Sequence, residues 1–194
     1  MSQKESKVAH IVVDMLYDFI DGTLACTNAH EAVKESIKFI NDNSSHTVLY
    51  ICDSHPNNHC SFSENGGIWP PHCVAGTRGS QVHENYNNYI PKAESRPSLQ
   101  NTLKKGENPN GEQYSGFEAI TSKGITLSDF LQQQSINKIF ISGIATEFCI
   151  NETVKDLMNA GFNVTVIAKA LAYVDYNNHI KTLENFKKLG IKII

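Results

Sequence analysis

Cys149 is the residue in this chain best placed for nucleophilic chemistry. It lies in GIATEFC, just past a strand-like run and within the first turn of the helix expected to follow. Backbone N–H groups are unpaired in such a turn, and the helix dipole favours negative charge. Both effects are expected to lower a thiol pKa from about 8.5 and to offer donors to a developing oxyanion. A thiol also needs a proton acceptor to attack at neutral pH. Asp14 closes the apolar run Val8 to Val13 (VAHIVV), and parallel strands could bring that end beside Gly143. A nearby lysine would favour the thiolate, and Lys104 and Lys105, directly before Gly106, are the candidates. Cys26, Cys52, Cys60 and Cys73 lack the strand-turn-helix setting and read as packing residues.

A second constellation has the composition of a metal site. Asp53-Ser54-His55 follows a β-rich run, and His72 comes seventeen residues after His55. One carboxylate with two imidazoles suits zinc, iron or manganese. Three protein ligands leave coordination positions open for water or substrate. His59, Ser61 and Glu64 are further ligand candidates, acting directly or through water.

These residues need a scaffold, and the periodicity supplies one. Strands are expected over Val8 to Val13, Thr47 to Cys52, Lys138 to Ser142, Asn163 to Ala168 and Ile191 to Ile194. Helices are expected over Ala29 to Asn41, Ile125 to Gln134 (capped by Thr126 or Ser128), Thr146 to Ala160 and Tyr176 to Leu189, with Gly161 and Gly190 as stops. Alternating strands and helices predict a three-layer α/β/α fold around a mostly parallel sheet. The length, 194 residues, suits a single domain over 1–194. One stretch breaks the rhythm. Residues 53–124 show little periodicity and hold all six prolines. An excursion that long usually builds a site, and in such sheets ligands gather at the carboxyl ends of the strands.

Composition excludes several classes. A net charge of -3 offers no field for nucleic acid or an anionic membrane, and no apolar run approaches the ~20 residues of a membrane span. The polar start, Met1 to Lys7, does not read as a secretory leader. Five cysteines, an odd number without disulfide-scaffold density, fit a reducing cytoplasm.

Four segments, in order, resemble the nicotinamidase/pyrazinamidase family of the isochorismatase-like cysteine hydrolases. They are IVVDMLYDF (11–19), DSHPNNHCSF with GGIWPPHCVAGTRG (53–79), KKGENPNGEQYSGFEA (104–119) and SGIATEFCI (142–150), and the resemblance spans essentially the whole chain. It implies Asp14 as catalytic acid/base, Cys149 as nucleophile and Lys105 as catalytic lysine, with Lys104 the fallback. It implies one divalent ion per chain on Asp53, His55 and His72, zinc first, with iron or manganese as alternatives. Phe19, Trp69 and Tyr114 would line a pocket for a pyridine ring. A cis peptide at Ile144–Ala145 would turn the Ala145 N–H toward an oxyanion beside that of Cys149. The implied activity is hydrolysis of nicotinamide, and of pyrazinamide, through a thioester, in NAD salvage, with self-assembly into a homo-oligomer left open. Three rivals stay open: attack by metal-bound water, a non-catalytic pyridine-binding module, and another small-amide hydrolase.

Overall fold

The computed structural model describes residues 7–194, so the polar start read above lies outside it except for Lys7. Seven strands form one sheet in the order β4-β3-β2-β1-β5-β6-β7. They are β1 (Lys7–Val13), β2 (Thr47–Asp53), β3 (Thr102–Lys105), β4 (Ile120–Thr121), β5 (Ile136–Gly143), β6 (Asn163–Leu171) and β7 (Lys192–Ile193). Every neighbouring pair is parallel except β3 and β4. The helices are α1 (Tyr17–Ile20), α2 (Ala29–Asp42), α3 (Asn85–Asn88), α4 (Leu127–Gln133), α5 (Asn151–Asn159) and α6 (Tyr176–Lys188).

Alternation along the strands divides the core between two faces of the sheet. Ala9, Ile11, Val13, Leu49, Ile51, Ile139 and Ile141 point to one face, where Leu127 and Leu131 of α4, Val154 and Leu157 of α5 and Phe186 of α6 cover them. Val12, Val48, Tyr50 and Cys52 point to the other, under Ala32, Val33, Ile37 and Ile40 of α2. Full burial of each Val, Leu, Ile or Phe side chain among them contributes roughly 1.5–3 kcal/mol. The expected three-layer α/β/α arrangement is therefore present. No helix among the described residues is long and apolar enough to cross a membrane.

The element boundaries are close to those expected, with informative differences. Thr126 is the cap of α4, its hydroxyl accepting the Asp129 N–H at 3.1 Å, and Asp175 caps α6 by accepting from Asn178 at 2.8 Å. The helix expected over Thr146 to Ala160 is divided into a π-helical turn, Thr146–Ile150, and α5. The excursion at 53–124 also contains β3, which lies parallel to β2 with Asp53 and Lys105 in register. Lys105 thus ends a strand instead of riding a loop. The signal for β3 was weak because TLKK is four residues long and half lysine.

Candidate active site and metal centre

The site lies where β1, β2, β3 and β5 end. Gly143 permits their convergence: a Cβ there would stand 2.2 Å from the Val13 carbonyl oxygen, and its φ of +146° disfavours other residues. The close approach sets Asp14 beside the turn that follows β5. After Gly143 come a cis Ile144–Ala145 peptide and then the π-helical turn; π turns often accompany functional sites.

Asp14, Lys105 and Cys149, separated by long stretches of chain, meet beneath this turn, all of them buried. The Lys105 ammonium stands 3.0 Å from Asp14 Oδ2, bonds to Asp53 Oδ1, and lies 3.5 Å from Cys149 Sγ. Asp14 Oδ1 accepts the Asp53 N–H at 2.9 Å. Lys104, the neighbouring candidate, is exposed.

The electrostatics correct one expectation. Burial, followed by the Asp53 charge, raises the Asp14 pKa to about 6 against the pull of Lys105. The Cys149 thiol is also pushed well above its ordinary range, first by burial, with Asp14 and Asp53 adding to the rise and Lys105 opposing it. The thiol pKa was expected to be lowered by the start of a helix. Instead Cys149 is the fourth residue of a π turn, faced by two carboxylates that arrive from distant strands. Lys105 holds its proton firmly because the two carboxylates outweigh the penalty of burial.

Asp53, His55 and His72 offer ligand atoms that all lie within 4.8 Å of one another, and all three residues are buried. His55 Nδ1 lies 2.9 Å from the Gly106 carbonyl and His72 Nδ1 2.8 Å from that of Pro70. A carbonyl only accepts, so each Nδ1 carries hydrogen, and each neutral ring has its Nε2 lone pair available to a metal. His55 Nε2 sits 3.5 Å from Asp53 Oδ2. Two lone-pair atoms that close need a cation, either a proton on the ring or a metal ion between them. With protein groups alone, burial opposes charge on His55, but the hydrogen bond and charge of Asp53 outweigh it and raise its pKa. The donor set fits a divalent ion. A second cluster, Asp14, Asp53 and Cys149, already has its cation in Lys105.

The other ligand candidates divide. His59 is buried with its ring centroid 4.1 Å from that of His55, but its Nδ1 accepts the Ser61 N–H at 3.1 Å. Ser61 is buried, whereas Glu64 is exposed and does not join the three-residue cluster.

Asp53, His72 and Cys149 share a cleft with Phe19, Trp69 and Tyr114, the three aromatics expected there. Phe148, Leu24, Cys26, Ala145 and Val174 complete its lining. Trp69 Nε1 donates to Tyr114 Oη at 3.2 Å, and Trp69 meets Phe148 edge-on at 5.2 Å. Phe148 directly precedes Cys149, so adjacency was the one signal that could have found it. Leu24 and Val174 carried none.

An isochorismatase domain model matches residues 111–194. That span includes Cys149 and excludes Asp14 and the metal cluster. The nicotinamidase of Acinetobacter baylyi is 31% identical over an alignment covering 92% of this chain and 87% of that protein. Among solved structures, the pyrazinamidase of Pyrococcus horikoshii in complex with zinc superposes with a TM-score of 0.83 at 31% identity, over 97% of this chain and 98% of the other. PnC1 of L. infantum in complex with nicotinate gives 0.80 at 27% identity, over 97% and 92%. Similarity of that extent, in sequence and in fold, means that the chain belongs to the nicotinamidase/pyrazinamidase family of isochorismatase-domain hydrolases.

Proposed function

We propose that this protein hydrolyses nicotinamide to nicotinic acid and ammonia, with Cys149 as the nucleophile, and that it accepts pyrazinamide as well. The observation carrying the reading is that Cys149, backed by Asp14 and Lys105, and Asp53 and His72, two of the three metal-ligand candidates, line one aromatic-walled cleft. The names of the relatives and the nicotinate held by a neighbour support the substrate.

Asp14, with a carboxylate oxygen within 4.8 Å of the Cys149 sulfur and a pKa of about 6, is poised to accept the thiol proton near neutrality. Lys105 stabilises the resulting thiolate, which attacks the carboxamide carbon. The Ala145 N–H, which has no acceptor among the described residues, and that of Cys149 hold the oxyanion. Asp14 returns its proton to the departing ammonia, leaving an acyl group on sulfur. Water, deprotonated by Asp14, then releases nicotinic acid. Asp53, His55 and His72 would hold one ion, zinc by preference, which supplies a Lewis-acidic position for the ring nitrogen. Phe19, Trp69, Tyr114 and Phe148 orient the ring, and such orientation can remove up to ~7–11 kcal/mol of barrier in ideal cases.

The reading treats 1–194 as one catalytic domain in the cytoplasm. The single sheet and the five free cysteines support it. Its product suits pyridine nucleotide recovery. The test is ammonia release from nicotinamide by purified protein. Cys149→Ala should abolish it while leaving the fold and metal content unchanged. Turnover surviving in that variant would rule out the cysteine nucleophile and favour attack by metal-bound water.

A further inference from the structure

Of the three residues that would hold the ion, Asp53 ends β2 and His55 follows two residues later, whereas His72 belongs to no strand or helix. The turn from Asp18 to Thr23 clamps the backbone on both sides of His72. Asp18 Oδ2 accepts the Cys73 N–H at 2.7 Å, and Asp18 Oδ1 lies 3.4 Å from the Thr23 N–H. Thr23 Oγ1 donates to the Pro71 carbonyl at 2.8 Å. Cys73 is held at φ +48°, a left-handed conformation uncommon for its residue type. Its carbonyl accepts the His55 N–H at 3.0 Å, so the residue whose N–H Asp18 holds also ties down the second histidine. Phe19, next to Asp18, tilts against the His72 ring at 5.4 Å.

We propose that Asp18 is a positioning residue for the metal centre, acting through the Cys73 backbone to set where His72 and His55 present their ring nitrogens. The proposal rests on the metal reading given above. It also accounts for the last glycine of GTRG. A Cβ on Gly79 would stand 2.0 Å from Asp18 Oδ2, so Gly79 leaves room for the carboxylate.

The test is a titration of metal-free, full-length protein with Zn²⁺ against a chromophoric chelator, with thermal melts of the same metal-free samples to establish folding. Asp18→Ala should weaken zinc binding roughly 10–100-fold, the usual effect of losing a group that supports metal ligands. Asp18→Asn keeps an oxygen that accepts from Cys73 and should recover most of that loss, which a general packing defect would not predict. Gly79→Ala should weaken binding comparably. Adding Gly79→Ala to Asp18→Ala should cause no further loss, because the new methyl then meets no carboxylate. Wild-type affinity in Asp18→Ala, or fully additive losses in the double variant, would overturn the positioning role. If Asp18→Ala shows no cooperative melt, Gly79→Ala decides: wild-type affinity there overturns the proposal. Wild-type protein that takes up no zinc would remove the metal reading itself, a result distinct from the others.

Discussion

Asp53 and Lys105 stand opposite one another at the carboxyl ends of β2 and β3, and their side chains form an ion pair shielded from solvent. Lys105 also holds Asp14 at 3.0 Å, so one ammonium serves two carboxylates. Removing it leaves two buried negative charges. Lys105→Met should lower the unfolding free energy by about 3–5 kcal/mol at pH 7, as expected for a broken buried pair. The loss should shrink toward pH 5 as the carboxylates take up protons. Urea unfolding at the two pH values measures this; an unchanged midpoint at pH 7 would refute the arrangement. The Lys105→Met protein should also release ammonia at least 100-fold more slowly, within the ~10²–10³ range for loss of one preorganised electrostatic group.

Asp14 sets the acid limb of activity. Burial, together with the Asp53 charge, raises its pKa to about 6. Below that value the carboxyl carries a proton and cannot accept another from Cys149. The kcat/KM for nicotinamide should therefore rise about tenfold per pH unit below about 6 and level off above it. Asp14→Asn should remove the activity at every pH. A profile flat from pH 5 to 7 would show that Asp14 is not the base.

Much of this arrangement was legible in the sequence, and the gaps have physical causes. Ala32, Val33, Ile37 and Ile40 mark one face of α2 by spacing alone, and Asp14 and Asp53 could be placed because apolar runs stop at them. β3 stayed hidden because Lys105 looks solvated until β2 and β4 flank its strand. The Cys149 thiol was misjudged for a related reason. The turn's dipole is local and readable, whereas the opposing carboxylates come from β1 and β2, nearly a hundred or more residues earlier. Phe148 and Val174 line the cleft only because the π turn and the segment after β6 fold over it.

A buried histidine away from the site gives a stability prediction. His10 is fully enclosed, bonds through Nε2 to Ser142 Oγ at 2.8 Å and packs edge-on against Phe39. Burial, and then His46, lowers its pKa from 6.5 to about 3. The unfolded chain therefore binds a proton below about 6.5 that the folded chain refuses until about 3. The stability contributed by neutral His10 is complete above 6.5 and is lost as the pH falls through that window, by on the order of 4–5 kcal/mol in full. Metal-free protein should be used, so that ligand protonation does not add metal loss. His10→Phe should flatten the dependence of the urea midpoint between pH 6.5 and 4; an equally steep slope in the variant would exclude His10 as its source.

Metal removal should separate ring anchoring from amide chemistry. If the ion on Asp53, His55 and His72 receives the ring nitrogen, nicotinamide gains from it and benzamide, which lacks that nitrogen, does not. The holoenzyme should then prefer nicotinamide strongly in kcat/KM. Protein stripped by a chelator should lose that preference mainly through a higher KM for nicotinamide, with benzamide little changed, and added Zn²⁺ should restore it. His72→Ala should behave like the stripped protein even with Zn²⁺ present, because the ion loses one of its three protein ligands. Cys149, Asp14 and Lys105 remain in place in all these samples, so slow hydrolysis of both amides should persist. Equal loss for both substrates would mean that the ion serves the reacting carbonyl or the fold rather than the ring. An unchanged preference in verified metal-free protein would leave the aromatic walls, Phe19, Trp69, Tyr114 and Phe148, as the sole source of discrimination.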